Sequence, residues 1–522
     1  MKGRYDAVVI GAGHNGLVAA GYLAKNGLSV LVAERREVVG GAVWTHEIVP
    51  GFHVSAGAQV LGMLRARIIE DLELRRHGLA YTLRDPDVFT PYADGSHIFW
   101  YPDSRRTAES IARLAPEDGA AYPAFGAMLE RGAAKLEPFL MRPRPSMAEF
   151  AAAFADEPEL LNTMLFASVR DVVDRYFRSD KVTGPLCYFA LSGTGAGPST
   201  PGTAFLKFFV TATDLGGARG NWALVHGGMG AITQALAASV RALGGEIETG
   251  VEVAGIAMRA GRAAGVVLAD GREIAADIVL SNADAKRTFC ELAPVDAVAP
   301  EIRSALAARR VEGSGFKINF AVGELPDFRA LPGKVAGPQH RAGIILAPPP
   351  DMIERGWDEA KVGRPTARPF THFIIQSATD PTLAPEGKHT ISMWGHHFPY
   401  RLAAGLDFAT ERARLAERMI DLVGEFAPNF RASIIAHEIY TPRDIETAYG
   451  LAGGQIYQGD MLPGGILWDR PLPGASGLGD VVRGLYLCGA AAHPGGLVSG
   501  MPGHNAARAV LADMAAGQFK QR

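Results

Sequence analysis

The stretch from Tyr5 to Glu34 constrains the fold of this chain more than any other part of it. Tyr5-Asp6-Ala7-Val8-Val9-Ile10 is an apolar, β-branched run of the kind that forms a strand buried on both faces of a parallel sheet. Gly11-Ala12-Gly13-His14-Asn15-Gly16 follows at once, and a helical pattern through Leu17, Ala20, Leu23 and Ala24 then stops at Asn26-Gly27. A second apolar strand, Val30 to Ala33, runs into Glu34. Gly11 permits the tight turn, Gly13 lets backbone approach a pyrophosphate, and Gly16 lets the helix pack closely on the strand. The helix start offers free N–H groups and a favourable dipole to that anion. Glu34 stands 18 residues past Gly16, where a carboxylate accepts hydrogen bonds from ribose hydroxyls and repels a 2′-phosphate. A glycine triplet alone is weak evidence, but strand, loop, helix, strand and terminal acid in this order predict a dinucleotide-binding unit. This segment alone does not decide between NAD and FAD.

Length and composition bound the rest. At 522 residues the chain exceeds one ordinary core, so two or three domains are expected, one holding a cofactor and another shaping a pocket. Its 48% hydrophobic and 20% charged residues are those of a globular enzyme. A net charge of −3, from 52 basic and 55 acidic residues, leaves no footprint for nucleic acid. Cys187, Cys290 and Cys488 lie far apart, which argues against a disulfide framework, a zinc site and a dithiol relay. Met1-Lys2-Gly3-Arg4 runs straight into the first strand without a leader pattern, and no apolar run reaches the roughly 18 residues of a membrane span. These features predict a cytoplasmic protein.

Two further segments bear on the cofactor. Glu34-Arg35-Arg36 followed by Gly40-Gly41-Ala42 resembles the second glycine motif of flavoprotein oxidases and desaturases, and Gly51 to Gly57 resembles their turn beside the flavin. Gly484-Leu485-Tyr486-Leu487-Cys488-Gly489, then Ala490 to Gly496 and a helix from about Met501, resembles the closing flavin motif of the phytoene dehydrogenase and amine oxidase superfamily. The resemblance spans essentially the whole chain. Gly-Ala-Gly-His-Asn-Gly-Leu-Val, Asp380 to Pro385 and His493-Pro494-Gly495-Gly496 are most similar to the group of pyridine nucleotide-disulfide oxidoreductase domain-containing protein 2, although dithiol chemistry has no cysteine pair here. The resemblance implies FAD, held by Gly11, Gly13, Asn15, Gly16, Glu34, Arg35, Gly40, Gly41, Gly489, Gly496 and Val498, with Val253 pairing its backbone with adenine. The family often has an acid after the strand-end glycine; Ala490 stands there, so backbone would have to serve the diphosphate.

The fold class expected is α/β: a Rossmann-type FAD-binding domain from segments 1–84, 216–300 and 446–522, and an α+β substrate domain from 85–215 and 301–445. The first substrate segment reads as mainly helical; the second has strand-like runs at Gly315–Val322 and His372–Gln376, expected in a mixed sheet over the flavin. Alternation after Gly245 and the Asp270-Gly271 turn predict a hairpin excursion that rejoins the first sheet.

Lys317 is singled out because an unpaired ammonium within an apolar strand is costly. It resembles the amine-oxidase lysine that holds a water near flavin N5; the alternative is an edge lysine facing solvent. His493 is the histidine best placed to act as a base, although His-Pro-Gly more often shapes a loop. His396 and His397 should point to opposite faces of a strand and cannot chelate together. Phe205, Leu206, Phe208 and Phe209, with Lys207 among them, could line a hydrocarbon tunnel or make transient contact with a membrane surface, or could simply be core.

Flavin carries the redox chemistry itself, so no side-chain triad is needed. The function implied is hydride removal from an apolar, isoprenoid or carotenoid-like substrate to flavin N5. The alternatives are an oxygen-using ketolase or amine-oxidase-like enzyme, and a flavin-containing interaction protein with weak catalysis.

Overall fold

The predicted strand–loop–helix–strand unit sits at the centre of a seven-stranded sheet in a computed structural model that describes residues 1–215 and 219–519. Strand Arg4–Ile10 lies parallel to Val30–Ala33 on one side and to Glu273–Ser281 on the other. Glu246–Glu248 extends the first edge, and Leu485–Leu487 pairs in parallel with the end of Glu273–Ser281. Strands Val253–Arg259 and Arg262–Leu268 fold back antiparallel, joined to Glu273–Ser281 through the expected turn, where Gly271 adopts φ +86°. The excursion therefore rejoins the sheet as its sequence pattern requires.

Helices His14–Lys25, Gly230–Ala242 and Met501–Ala515 pack on one face of this sheet, burying Leu17, Leu23, Ile232, Leu236, Ala506 and Val510 against Val9 and Val30. Their approach is close: a Cβ on Gly503 would lie 2.1 Å from the Asn15 carbonyl oxygen. Chain regions hundreds of residues apart thus meet in one core.

A second seven-stranded sheet has the order Ile434–Tyr440, Phe316–Val322, His389–Gly395, Thr371–Ile374, Gly343–Leu346, Val88–Pro91, His97–Trp100. It is mixed, with the 343–346 and 88–91 strands parallel and the other pairs antiparallel. On one face Phe316, Ile318 and Phe320 pack against Leu415, Met419 and Val423 of helix Phe408–Phe426. The other face carries polar residues in register. His372 pairs with Trp394, Trp394 with Lys317, and Lys317 with Tyr440, while Ser392 pairs with Asn319 and Asn319 with Glu438.

Of the two readings of Lys317, the solvent-facing edge is excluded: its strand is flanked on both sides, and the residue is 0% exposed. One expectation changes. His396 and His397 lie just past the end of strand His389–Gly395, with His397 at φ 71°, because the chain turns away there. The Phe205–Phe209 patch is core. All four apolar residues are at most 1% exposed within the helical layer built from 104–211, so they neither line a tunnel nor reach a membrane. Among the described residues no helix is long and apolar enough to cross a membrane.

Candidate active site

A cleft of about 280 Å³ lies between the two sheets and is lined by residues of both, close to the roughly 300 Å³ at which small-ligand pockets begin. One end is built largely of backbone. Gly11, Gly13, Asn15, Glu34, Arg35, Gly40, Gly41, Val253 and Val498 all line it. The missing side chains matter: a Cβ on Gly13 would lie 2.6 Å from Asn282 Nδ2. Gly16, Gly489 and Gly496 stand behind the wall, where they permit close packing. A Cβ on each would come within 2.3 Å of the Gly11 carbonyl, 2.6 Å of the Asn282 carbonyl and 2.2 Å of the Tyr457 ring respectively.

Glu34 closes this end. It is 6% exposed, and its Oε2 and Oε1 accept hydrogen bonds from the backbone N–H groups of Ala12 at 2.8 Å and Arg36 at 3.0 Å. The carboxylate is thereby fixed beside the loop with lone pairs left for ribose hydroxyls. Arg36, not Arg35, is the anchored base. Its Nη1 donates to the Gly41 carbonyl at 2.9 Å and its guanidinium lies 4.5 Å from the Trp44 ring centre, whereas Arg35 is exposed. The start of helix His14–Lys25 faces the same wall, and burial lowers the His14 pKa to about 4. That histidine is neutral at physiological pH and supports the loop without adding charge.

The other end is made of side chains. Helix Asp180–Leu191 supplies Tyr188 and Phe189, Trp222 stacks on Phe189 at 5.7 Å, and Val60, Met63, Val210 and Ile456 extend the apolar wall. The second sheet adds His372, Trp394 and Lys317 from its register row. Gln59 Nε2 lies 2.7 Å from His372 Nδ1, and among the described residues His372 Nε2, Gln59 Oε1 and Trp394 Nε1 are buried without a hydrogen-bond partner. Burial, reinforced by Arg84 and Lys317, holds the His372 pKa well below its ordinary value. Lys317 Nζ donates to Ser392 Oγ, and burial, partly opposed by the Glu438 charge, lowers its pKa to about 7. This end therefore offers apolar surface and one lysine poised near neutrality. Among the described residues, the acids lining the cleft are Glu34 and Glu252, both at the nucleotide end.

His493 does not line the cleft. It is 4% exposed, its Nε2 lies 2.7 Å from the Phe139 carbonyl, and burial lowers its pKa to about 4. Its loop is tied further by Asn505, whose Nδ2 donates to the His493 carbonyl at 3.4 Å and to the Leu140 carbonyl at 2.9 Å. Cys488 is buried core with its thiol pKa pushed well up by burial. Among the described residues no cluster of His, Cys, Asp and Glu could hold a metal.

Sequence reasoning did not single out Asn282, His372, Trp394 or the aromatic wall. Asn282 had a usable signal, since it follows strand Glu273–Ser281 at the carboxyl edge of a parallel sheet, where ligands bind. The others depend on the pairing register of distant strands, which no local pattern encodes.

Residues 16–318 match the family model described as flavin containing amine oxidoreductase. The chain is 35% identical to the mouse (Mus musculus) pyridine nucleotide-disulfide oxidoreductase domain-containing protein 2, covering 98% of this chain and 94% of that one. It is 27% identical to a phytoene desaturase (lycopene-forming) from Pseudescherichia vulneris, covering 95% and 96% of the two chains. In fold it resembles an oxidoreductase from Methanosarcina mazei, with TM-score 0.61, 19% identity and coverage of 97% and 99%.

Proposed function

From the premise that this chain belongs to the family of flavin-containing amine oxidoreductases and is an FAD-dependent oxidoreductase, we propose that it removes hydride from a largely apolar, isoprenoid-like substrate. Bound FAD supplies the hydride acceptor at its N5. The glycine cradle fits that cofactor, because Gly11, Gly13, Gly40 and Gly41 leave the close backbone approach a diphosphate needs. Glu34 would receive the ribose hydroxyls, and the Val253 backbone would pair with adenine.

The observation that carries the substrate class is the composition of the far end of the cleft. A protonated amine entering it would meet Lys317 and an aromatic wall but no carboxylate partner, a costly arrangement for a buried cation. A neutral hydrocarbon would meet Tyr188, Phe189 and Trp222 and gain dispersion and burial. Similarity to a phytoene desaturase supports the same class. In this reading the aromatic wall orients the substrate and excludes water, and Lys317 holds a water or compensates charge at the reacting end. His493 shapes the loop.

Anaerobic mixing with candidate substrates tests the reading. Bleaching of the flavin by a polyene precursor and not by amines is the expected result; bleaching by amines alone would overturn it. A second, oxygen-using amine-oxidase-like reading is favoured by Lys317, and under it Lys317→Met slows reoxidation by oxygen.

A further inference from the structure

Arg470 is an unusual cation. It is 1% exposed, and its guanidinium is bound wholly by backbone carbonyls. Nε and Nη2 donate to the Ala490 carbonyl at 2.9 and 2.6 Å, and Nη1 donates to Gly465 at 2.7 Å and Gly459 at 3.2 Å. Nη2 also donates to the Tyr457 carbonyl. Among the described residues no carboxylate forms an ion pair with it. The nearest acid, Asp460, has its pKa raised by burial, and its Oδ1 accepts instead from Gln455 Nε2 at 2.7 Å and the Gly195 N–H at 3.2 Å.

The segments it clamps form one wall of the cleft, which Tyr457, Gln458 and Ala490 line directly. Gln458 carries the connection onward: its Oε1 accepts from the Ala491 N–H at 2.9 Å and its Nε2 donates to the Asn282 carbonyl at 3.2 Å, beside the glycine cradle. Arg144 pins the neighbouring loop in the same manner, donating to the carbonyls of Trp468, Leu472 and Ala475 at 2.9 to 3.0 Å.

We propose that Arg470 is a positioning residue that both orders this wall and sets the redox poise of the bound flavin, its buried positive charge favouring the reduced, anionic ring. This rests on the reading that the cleft holds FAD. A buried charge that makes no ion pair acts at long range, because little solvent screens it, and here the Asp460 charge opposes it only in part. Burial pulls the Arg470 pKa down to about 9, so the group still carries its charge at neutral pH.

The test compares wild type, Arg470→Lys and Arg470→Met reconstituted with FAD, reading the midpoint potential against reference dyes and the affinity of the flavin for sulfite, a probe of negative charge on the ring. Arg470→Lys keeps the charge with fewer donors. It should weaken FAD binding but hold the potential near that of wild type. Arg470→Met should shift the two-electron reduction equilibrium at least tenfold toward oxidised flavin, about 30 mV, and weaken sulfite binding at least tenfold. If Arg470→Met does not fold, Arg470→Lys decides alone: a tenfold fall in its reduction equilibrium despite the retained charge overturns the proposal. Unchanged potential and sulfite affinity in a folded Arg470→Met protein also overturn it. Failure of the wild-type chain to bind FAD would sink the cofactor reading instead, so the two failures are distinguishable.

Discussion

The two ends of the cleft solve opposite problems with opposite materials. The nucleotide end faces a polar, charged ligand and is built from backbone, with glycines where side chains would intrude and Glu34 as its fixed acid. The far end, proposed above to take the substrate, is built from large side chains carried by two separate layers, a helix with Tyr188 and Phe189 and a sheet with Trp394 and Lys317. Backbone recognition tolerates almost no substitution, because the ligand contacts the chain itself. A side-chain wall is modular, and exchanging one residue reshapes specificity without dismantling the site.

That contrast can be broken at its strong end first. Gly13→Ala forces a methyl group against Asn282 Nδ2 at 2.6 Å, and FAD affinity should fall at least about 100-fold, some 2.8 kcal/mol. Equilibrium titration of the apo-protein checks this; an effect below about threefold would show that the loop does not touch the cofactor.

Lys317→Met should come next, lowering turnover about tenfold while leaving FAD affinity within about twofold. Two pH signatures accompany it. The rate should show a limb with an apparent pKa near 7 in wild type that the variant lacks. Stability has a worked sign: the folded chain releases the Lys317 proton near 7 and the unfolded chain near the ordinary 10.5, so between these values the unfolded state binds more protons and stability rises with pH. Thermal melts across that range should show a smaller rise in the variant.

Phe189→Ala removes one aromatic plate from the modular wall and should raise KM roughly tenfold, as loss of apolar burial of about 1.4 kcal/mol implies, with FAD binding unchanged. Steady-state kinetics on a bleaching substrate checks it. The smallest effect is expected at His493→Asn, which loses the 2.7 Å contact with the Phe139 carbonyl. Stability should fall about 1 kcal/mol, with no limb removed from the pH–rate profile.

The same contrast explains what the sequence disclosed. The Tyr5–Glu34 unit was legible because strand, loop and helix are contiguous and each glycine answers a local steric demand. The hairpin with its Asp270-Gly271 turn was legible for the same reason. Lys317 was conspicuous as a charge in an apolar run, yet whether it faced solvent or the cleft depended on strands 389–395 and 434–440 flanking it, a fact set by long-range pairing. His372 gave no local signal at all; only the register that pairs it with Trp394 brings it to the cleft. That Arg36 is anchored against the ring of Trp44, 4.5 Å from its guanidinium, likewise rests on a contact no local pattern encodes.

Distant segments of the chain converge on one cleft that fits a single flavin. Titration of apo-protein with FAD, followed by visible absorbance, tests it most directly. One FAD bound per wild-type chain and none by Gly13→Ala at the same concentration is the predicted result; a wild-type chain that stays colourless, or equal binding by the two proteins, would contradict it.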